Sequence, residues 1–193
     1  MGRSGMILVL ACLTLAACGS RVSPPSVNSG SATRQPGITC APFARELSGI
    51  ALYGDAATWW DGAAGLYQRD SRPVVGSALI FRRSSRLRSG HVAVVSRILT
   101  PRQLQVFQAN WVADEVQQDQ LVVDVSAAND WSEVRVWYPP TDQLGTATYA
   151  TYGFVLPPRP ATHEELKRAA RPAALYAVSA RGRSVPRART FGS

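Results

Sequence analysis

The fold is decided first by Thr39-Cys40-Ala41-Pro42-Phe43-Ala44-Arg45-Glu46-Leu47, a stretch that predicts a helix beginning at Cys40. Thr39 offers a capping hydroxyl, Pro42 is tolerated only in a first turn, and the apolar residues after it have helical spacing. The amino end of a helix carries partial positive charge and free backbone N–H groups. We therefore expect a lowered pKa for the Cys40 thiol, and part of an oxyanion hole at its amide.

Cysteine usage also singles out Cys40. Of the three cysteines, Cys12 lies in an apolar leader and Cys18 ends a lipobox-like motif, so only Cys40 stays a thiol in the mature domain. Exported proteins usually pair their cysteines, and an unpaired thiol is therefore typical of a reactive nucleophile. Burial as a small apolar side chain is the alternative. The position at a helix start favours the nucleophile.

The amino-terminal residues predict export and a lipid anchor. Arg3 followed by the apolar residues 6–17 is typical of a secretory signal, which is too short to span a bilayer. The motif Leu15-Ala16-Ala17-Cys18-Gly19 resembles a bacterial lipobox. It implies a signal peptide over residues 1–17 and diacylglycerol on Cys18. An ordinary signal peptide with a chance cysteine is the alternative. Residues 18–37, rich in Ser, Pro and Gly, predict a flexible tether.

Beyond the tether, the pattern predicts two helices followed by about six strands. The second helix is expected at residues 56–67. Short β-type runs separated by turn residues predict strands at 77–82, 91–99, 104–111, 121–126, 134–138 and 152–156. This order indicates an α+β fold, with amino-terminal helices packed on a curled antiparallel sheet or small barrel. The catalytic domain is expected over residues 38–157.

The length and charge of the chain indicate how many domains it has and which partners it could bind. The 193 residues suffice for one core, and only one of the 21 basic residues is lysine, so the net charge of +8 is an arginine effect. We attribute it first to genomic composition bias and second to attraction for anionic partners. The arginines lack the interleaving of an RNA-binding motif, so no nucleic-acid partner is expected. Residues 158–193 predict a basic, partly disordered tail with a short helix interrupted at Pro172, and His163 is expected to be exposed in it.

His91 is the expected general base. It opens an apolar strand directly after a loop that ends in Gly90, and a strand end over a cleft holds a base firmly while leaving it accessible to substrate. The other histidine, His163, falls in the predicted tail. With two histidines so far apart in the chain, no zinc site and no cofactor are expected.

The residue that orients His91 is expected on the next strand. If the two strands form a hairpin whose paired positions sum to 201, Asn110 lies directly across from His91. Gln108 then shares that face and lies opposite Ala93. The chain order Cys, His, Asn is that of papain-like enzymes, in which an amide oxygen holds the imidazole. Asn110 is therefore the expected orienting residue, with Gln108 as an auxiliary candidate.

A longer pattern runs through residues 38–157. It comprises Cys40-Ala41-Pro42-Phe43-Ala44-Arg45 through Gly49, Gly54-Asp55-Ala56, Trp59-Trp60, Pro73 to Gly76, Phe81, Gly90-His91-Val92-Ala93-Val94-Val95, Ala109-Asn110-Trp111, Val123-Asp124-Val125-Ser126, Asn129-Asp130-Trp131 and Val134-Arg135-Val136-Trp137. This pattern closely resembles the CHAP family, the cysteine- and histidine-dependent amidohydrolases/peptidases.

The resemblance implies a papain-like fold and cleavage of amide bonds in peptidoglycan stem peptides or cross-bridges. It also implies that Cys40 is the nucleophile and His91 the base. Many members carry an acidic residue and an asparagine near the third position, where this chain has Gln108 and Asn110. Since Gln108 cannot supply a negative charge, Asn110 remains the expected orienting residue.

These predictions together describe a lipid-anchored peptidoglycan hydrolase of the bacterial cell envelope, facing the periplasm or the wall. It would be an N-acetylmuramoyl-L-alanine amidase or an endopeptidase of the cysteine (thiol) type. One alternative is a wall-binding lipoprotein that keeps the fold without catalysis. Another is an amidase that acts on a soluble peptide conjugate.

Overall fold

The computed structural model describes residues 30–171, and strands dominate them. The helices are α1 (Cys40–Ser48), α2 (Trp59–Gly62) and α3 (His163–Ala169), with 3-10 turns at Ala56–Thr58 and Pro139–Thr141. The strands are β1 (Ser31–Arg34), β2 (Arg69–Asp70), β3 (Ala78–Phe81), β4 (His91–Thr100), β5 (Gln103–Ala109), β6 (Glu115–Asp124), β7 (Glu133–Tyr138), β8 (Gln143–Leu144) and β9 (Tyr149–Val155).

Antiparallel pairing closes six of these strands into a barrel-like ring. Going round it, the order is β3, β4, β5, β6, β7 and β9, and β9 pairs back onto β3. One face of each strand lines an apolar interior that includes Leu79, Val106 and Trp131. The predicted α+β class with few helices and a strand-rich sheet is therefore confirmed. Each of the six predicted strands overlaps one strand of this ring, although the predicted 104–111 and 121–126 run past the observed ends at Ala109 and Asp124.

Helix α1 packs on the outside of the ring and begins at Cys40, as predicted. Its buried face includes Phe43, Ala44 and Leu47, which join the apolar residues on the outer face of β4 and β5. Burying a side chain the size of Phe43 stabilises the fold by about 1.5–3 kcal/mol. The helix ends at Ser48 and is capped by Gly49, which has a left-handed φ of 69° and whose N–H donates to the Arg45 carbonyl.

The second helix is much shorter than the predicted span of 56–67. A 3-10 turn leads into the single turn of α2, which ends at Gly62. Gly65 adopts a φ of 74°, in the left-handed region, and the chain leaves the helical path there. The helical spacing of the aromatic residues was therefore misleading, because the two glycines provide a turn.

The tether boundary expected at residue 37 is corrected by β1. Residues 31–34 pair with β6, from Ser31 opposite Gln118 to Arg34 opposite Glu115. The Asp114 carboxylate then accepts a hydrogen bond from the Gly37 N–H at 2.9 Å. Strand pairing along an exposed edge depends on backbone groups. The Ser- and Gly-rich composition of residues 18–37 therefore does not predict a strand here.

The start of the predicted tail is part of the domain. Helix α3 has a capping box between Thr162 and Glu165, and it buries Leu166 beside α1. His163, expected to be exposed, keeps only 14% of its side chain accessible, and its Nε2 lies 2.9 Å from Asp119 Oδ1. The apolar face of α3 explains this correction, since Leu166 draws the helix onto the core.

The predicted signal peptide, the Cys18 lipid site and the tail beyond residue 171 lie outside the described residues. Within residues 30–171, no helix is both long and apolar enough to cross a bilayer.

Candidate active site

Cys40 stands at the first position of α1, with backbone amides directed at its sulfur. The N–H groups of Val92, Ala41 and Cys40 itself interact with the thiol and lower its pKa. Burial is the larger effect, and overall it raises the pKa of Cys40. The expected low thiol pKa is therefore corrected, because the sequence showed the helix start but not the depth at which the sulfur lies.

An open cleft of about 480 Å³ brings the predicted residues together. Its walls come from the start of α1, the loop before α2 and the loop between β3 and β4. Cys40, His91 and Asn110 all line it. The thiol of Cys40 and the imidazole of His91 therefore face the same cleft, one from the start of α1 and the other from the start of β4.

His91 is held firmly by its neighbours at the start of β4. It pairs with Phe81 of β3, whose ring meets the imidazole edge-on at a centroid distance of 5.4 Å. The Trp111 ring lies 5.0 Å away, and only 3% of His91 is exposed. Because burial disfavours the charged imidazolium, the pKa of His91 is lowered to about 4. His91 is thus a neutral imidazole over most of the pH range.

Gln108 makes the hydrogen bond that orients His91. The imidazole Nε2 lies 3.0 Å from the Gln108 Oε1. An amide oxygen only accepts, so Nε2 carries the proton and Nδ1 keeps its lone pair. That is the tautomer a base requires if Nδ1 is to accept the thiol proton.

Asn110 makes a different contact. Its Oδ1 accepts a hydrogen bond from the Asp114 N–H at 3.1 Å, and its backbone has a left-handed φ of 61°. Asn110 follows the last residue of β5, so its side chain no longer continues the alternation that places Gln108 beside His91. The structure thus brings Gln108, and not Asn110, onto the imidazole, while Asn110 contributes to the cleft wall.

The β4–β5 register explains how the sequence argument succeeded only in part. Near the site, Val94 pairs with Phe107 and Val95 with Val106, which gives the predicted sum of 201. At the turn, however, Thr100 pairs with Gln103, and two irregularities in β4 make up the difference. Gln108 directly follows the paired Phe107 and reaches the His91 imidazole, with a side chain one methylene longer than that of asparagine.

Residues 30–110 match the family model of the CHAP domain. These residues belong to the CHAP family. The matched segment contains Cys40, His91 and Gln108, so the resemblance inferred from the sequence is confirmed. CHAP domains are generally hydrolases of amide bonds, and the family points to peptidoglycan as the general substrate. No curated protein matches the chain.

The loop that precedes His91 in this CHAP domain is anchored to the loop after α1. Asp55 Oδ2 accepts a bond of 2.8 Å from Arg83, and Arg83 in turn donates to the Arg88 carbonyl. The Ala57 N–H donates to the carbonyl of Ser89 at 3.0 Å. Sequence reasoning missed these positioning contacts, because they join segments about 30 residues apart.

Gly90 permits the closest of these approaches. A Cβ at this position would lie 2.6 Å from the Ala57 Cβ and 2.7 Å from the Phe81 carbonyl oxygen. Its φ of 71° is also in the left-handed region. The glycine lets the His91 loop pack against the residues that follow α1.

Three grooves of the CHAP domain meet at Arg86. This residue lines the Cys40 cleft, a groove of about 360 Å³ next to Arg82 and Arg83, and an aromatic groove of about 280 Å³ beside Trp111 and Tyr149. Arg83 pairs with Asp55. Among residues 30–171, Arg86 itself has no carboxylate partner within 4.0 Å. The grooves therefore join at an uncompensated positive charge.

Proposed function

We propose that this chain is a papain-like cysteine amidohydrolase that cleaves amide bonds of peptidoglycan stem peptides or cross-bridges. The observation that carries the proposal is the shared cleft of Cys40 and His91, with the imidazole held by Gln108 in the tautomer of a base. Cys40 is the nucleophile, His91 the general base and Gln108 the orienting residue.

The reaction begins from a neutral pair, because burial disfavours the charge on both groups. As the Cys40 sulfur attacks the amide carbonyl, its proton passes to His91 Nδ1, and Gln108 Oε1 stabilises the resulting imidazolium through Nε2–H. The carbonyl oxygen becomes an oxyanion that the Cys40 backbone N–H can bind.

Collapse of this intermediate breaks the carbon–nitrogen bond, and His91 returns the proton to the departing amine. A water molecule then attacks the thioester, with its proton taken by His91. The acid is released and the thiol is restored.

The charge at Arg86 supports an anionic substrate. Stem peptides of the wall carry free carboxylates, and a guanidinium binds a carboxylate through two parallel hydrogen bonds. Because Arg86 borders both the cleft and the neighbouring grooves, it is placed to bind the part of a peptide that extends from the reacting bond.

The proposal includes attachment to the cell envelope. The lipobox-like motif at Cys18 supports a diacylglycerol anchor, with residues between Cys18 and β1 as a short link to the catalytic domain. Replacement of Cys18 by Ser should abolish lipid labelling and release any exported protein from the membrane fraction. Labelling that persists in Cys18→Ser would contradict the anchor without touching the proposed chemistry.

Digestion of purified sacculi tests the function. The full chain in detergent should generate new amino and carboxyl ends that mass spectrometry can identify, and Cys40→Ala should generate none. An amidase frees the amino group of the first stem residue, whereas an endopeptidase cuts within the peptides. Binding to sacculi with no new ends in the wild-type protein would favour the wall-binding lipoprotein instead.

A further inference from the structure

The amide that holds His91 lies opposite a second buried glutamine. Strand pairing puts Gln108 of β5 directly across from Gln117 of β6, and both side chains are fully buried. Two polar atoms of this pair have no hydrogen-bond partner among the described residues: Nε2 of Gln108 and Oε1 of Gln117. One is a donor and the other an acceptor, on residues whose Cβ atoms are about 4.5–5.5 Å apart in antiparallel pairs.

The other ends of the two amides are already bonded. Gln108 Oε1 contacts His91, and Gln117 Nε2 donates to Glu115 Oε2 at 3.0 Å. Buried polar atoms without partners are costly, and a hydrogen bond between these two would satisfy both. The free ends are thus complementary in chemistry, and strand pairing places their residues opposite each other.

We propose that Gln108 Nε2 donates to Gln117 Oε1, so that His91 is linked to the carboxylate of Glu115 through two amides. This inference rests on the proposed function, in which His91 is the base. Gln117 and Glu115 are positioning residues, since neither lines the Cys40 cleft. Each amide then has its oxygen toward His91 and its nitrogen toward Glu115.

The orientation of the two amides in this series of hydrogen bonds determines the imidazole tautomer. A glutamine amide can turn over, and a reversed Gln108 would offer N–H to His91 Nε2 in place of an oxygen. The imidazole proton would then move to Nδ1, where a base needs its lone pair. The carboxylate prevents this, because Glu115 can only accept and so requires the Nε2 end of Gln117 to face it. The Oε1 end of Gln117 then faces Gln108 and requires the Nε2 end of Gln108. A negative charge at the far end also polarises the amides toward a stronger acceptor at His91.

The proposal accounts for a departure from the family pattern. Many CHAP domains carry a carboxylate where this chain has Gln108, and this chain carries one at Glu115 instead. The charge is thereby kept two amides away from the imidazole, in a residue that is only partly buried. A carboxylate costs less to hold there than beside His91, in the apolar interior.

The test compares Gln117→Leu with Gln120→Leu by histidine nitrogen NMR and by turnover on sacculi. Gln120 is a suitable control because it is a buried glutamine of the same strand with an unpartnered Oε1. The chain has only two histidines, so the His91 ring signals can be assigned against His163. In Gln117→Leu, we expect His91 to shift from the Nε2–H tautomer toward Nδ1–H, with kcat reduced about tenfold at unchanged KM.

Gln120→Leu should keep the wild-type tautomer and kcat. A folded Gln117→Leu that also keeps both would overturn the proposal. If Gln117→Leu fails to fold, Glu115→Gln provides the test. Loss of the charge alone should weaken the hydrogen bond from His91 Nε2–H and move the resonance of that proton upfield. An unmoved resonance would refute the hydrogen-bond link between His91 and Glu115. The tautomer is measured without substrate. A wild-type protein with the expected tautomer but no hydrolysis would therefore refute the proposed function and leave the hydrogen-bond link from His91 to Glu115 intact.

Discussion

Gln108 and His91 lie on adjacent strands, and the amide oxygen of Gln108 is 3.0 Å from the imidazole Nε2. The bond is fully buried, since Gln108 has no exposed surface and His91 has almost none. A hydrogen bond at this depth is shielded from competing water. It holds the imidazole in place and selects its tautomer.

The first prediction separates Gln108 from Asn110 by kinetics. Gln108→Ala removes the acceptor of the imidazole proton, so kcat on a wall substrate should fall about 10- to 100-fold with little change in KM. Asn110 lines the cleft and its side chain bonds to the Asp114 N–H and not to His91, so its substitution should act mainly on KM. Asn110→Gly is the preferred variant, because glycine accepts the φ of 61° without strain. Equal losses of kcat in both variants, with each shown to be folded, would contradict this division of roles.

The second prediction concerns acid stability. The pKa of His91 is about 4 in the folded protein, against 6.5 for a free imidazole. Between these values the unfolded chain binds more protons than the folded one, so stability is lost as pH falls from 6.5 toward 4. The contribution of His91 to this loss is on the order of 3 kcal/mol.

Urea unfolding across this pH range, compared with His91→Gln, measures the effect. The difference in unfolding free energy between the two proteins should shrink toward acid pH, since the variant has no imidazole to protonate at this position. A constant difference would mean that His91 titrates normally in the folded state.

The third prediction tests the packing at Gly90. Gly90→Ala combines a left-handed backbone, which costs a residue with a side chain about 1–2 kcal/mol, with contacts of 2.6 and 2.7 Å to neighbouring atoms. We expect a clear drop in Tm and a large loss of activity, because the His91 loop must move.

Gly65→Ala is the matched control. Gly65 has a φ of 74°, but nothing lies within 4 Å of a Cβ built on it. This variant should show the backbone cost alone and near wild-type kcat. If thermal denaturation gives the same drop for both variants, the close approach of Gly90 to Ala57 does not matter.

The fourth prediction concerns the charge at the junction of the grooves. Arg86→Gln should raise KM for wall fragments several-fold while leaving kcat nearly unchanged, because the proposed role of the residue is to bind substrate and not to transfer protons. The wild-type KM should also increase with salt, and this dependence should weaken in the variant. Arg72→Gln, at a side chain that is 89% exposed outside the cleft, is the control for loss of one positive charge. Identical kinetics for the two variants would exclude a specific role for Arg86.

The sequence predicted the elements whose signals are local. The six strands of the ring follow from apolar runs between turn residues, and the start of α1 follows from Thr39 and Pro42 around Cys40. The same reasoning failed for residues 56–67, where the spacing of aromatic residues outweighed Gly62 and Gly65. It also missed β1, whose pairing depends on an edge of β6 that is far away in the chain.

By itself, the sequence determined where the candidate residues lie: one thiol at a helix start, and one histidine at the start of a strand. These assignments need only short-range rules of capping and periodicity. The tertiary structure decided what surrounds them. Burial raises the pKa of Cys40. Strand β5 ends at Ala109, before Asn110, and the side chain that bonds to His91 is that of Gln108. Burial and cross-strand contacts arise only when distant segments pack, and the local spacing of residues does not predict them.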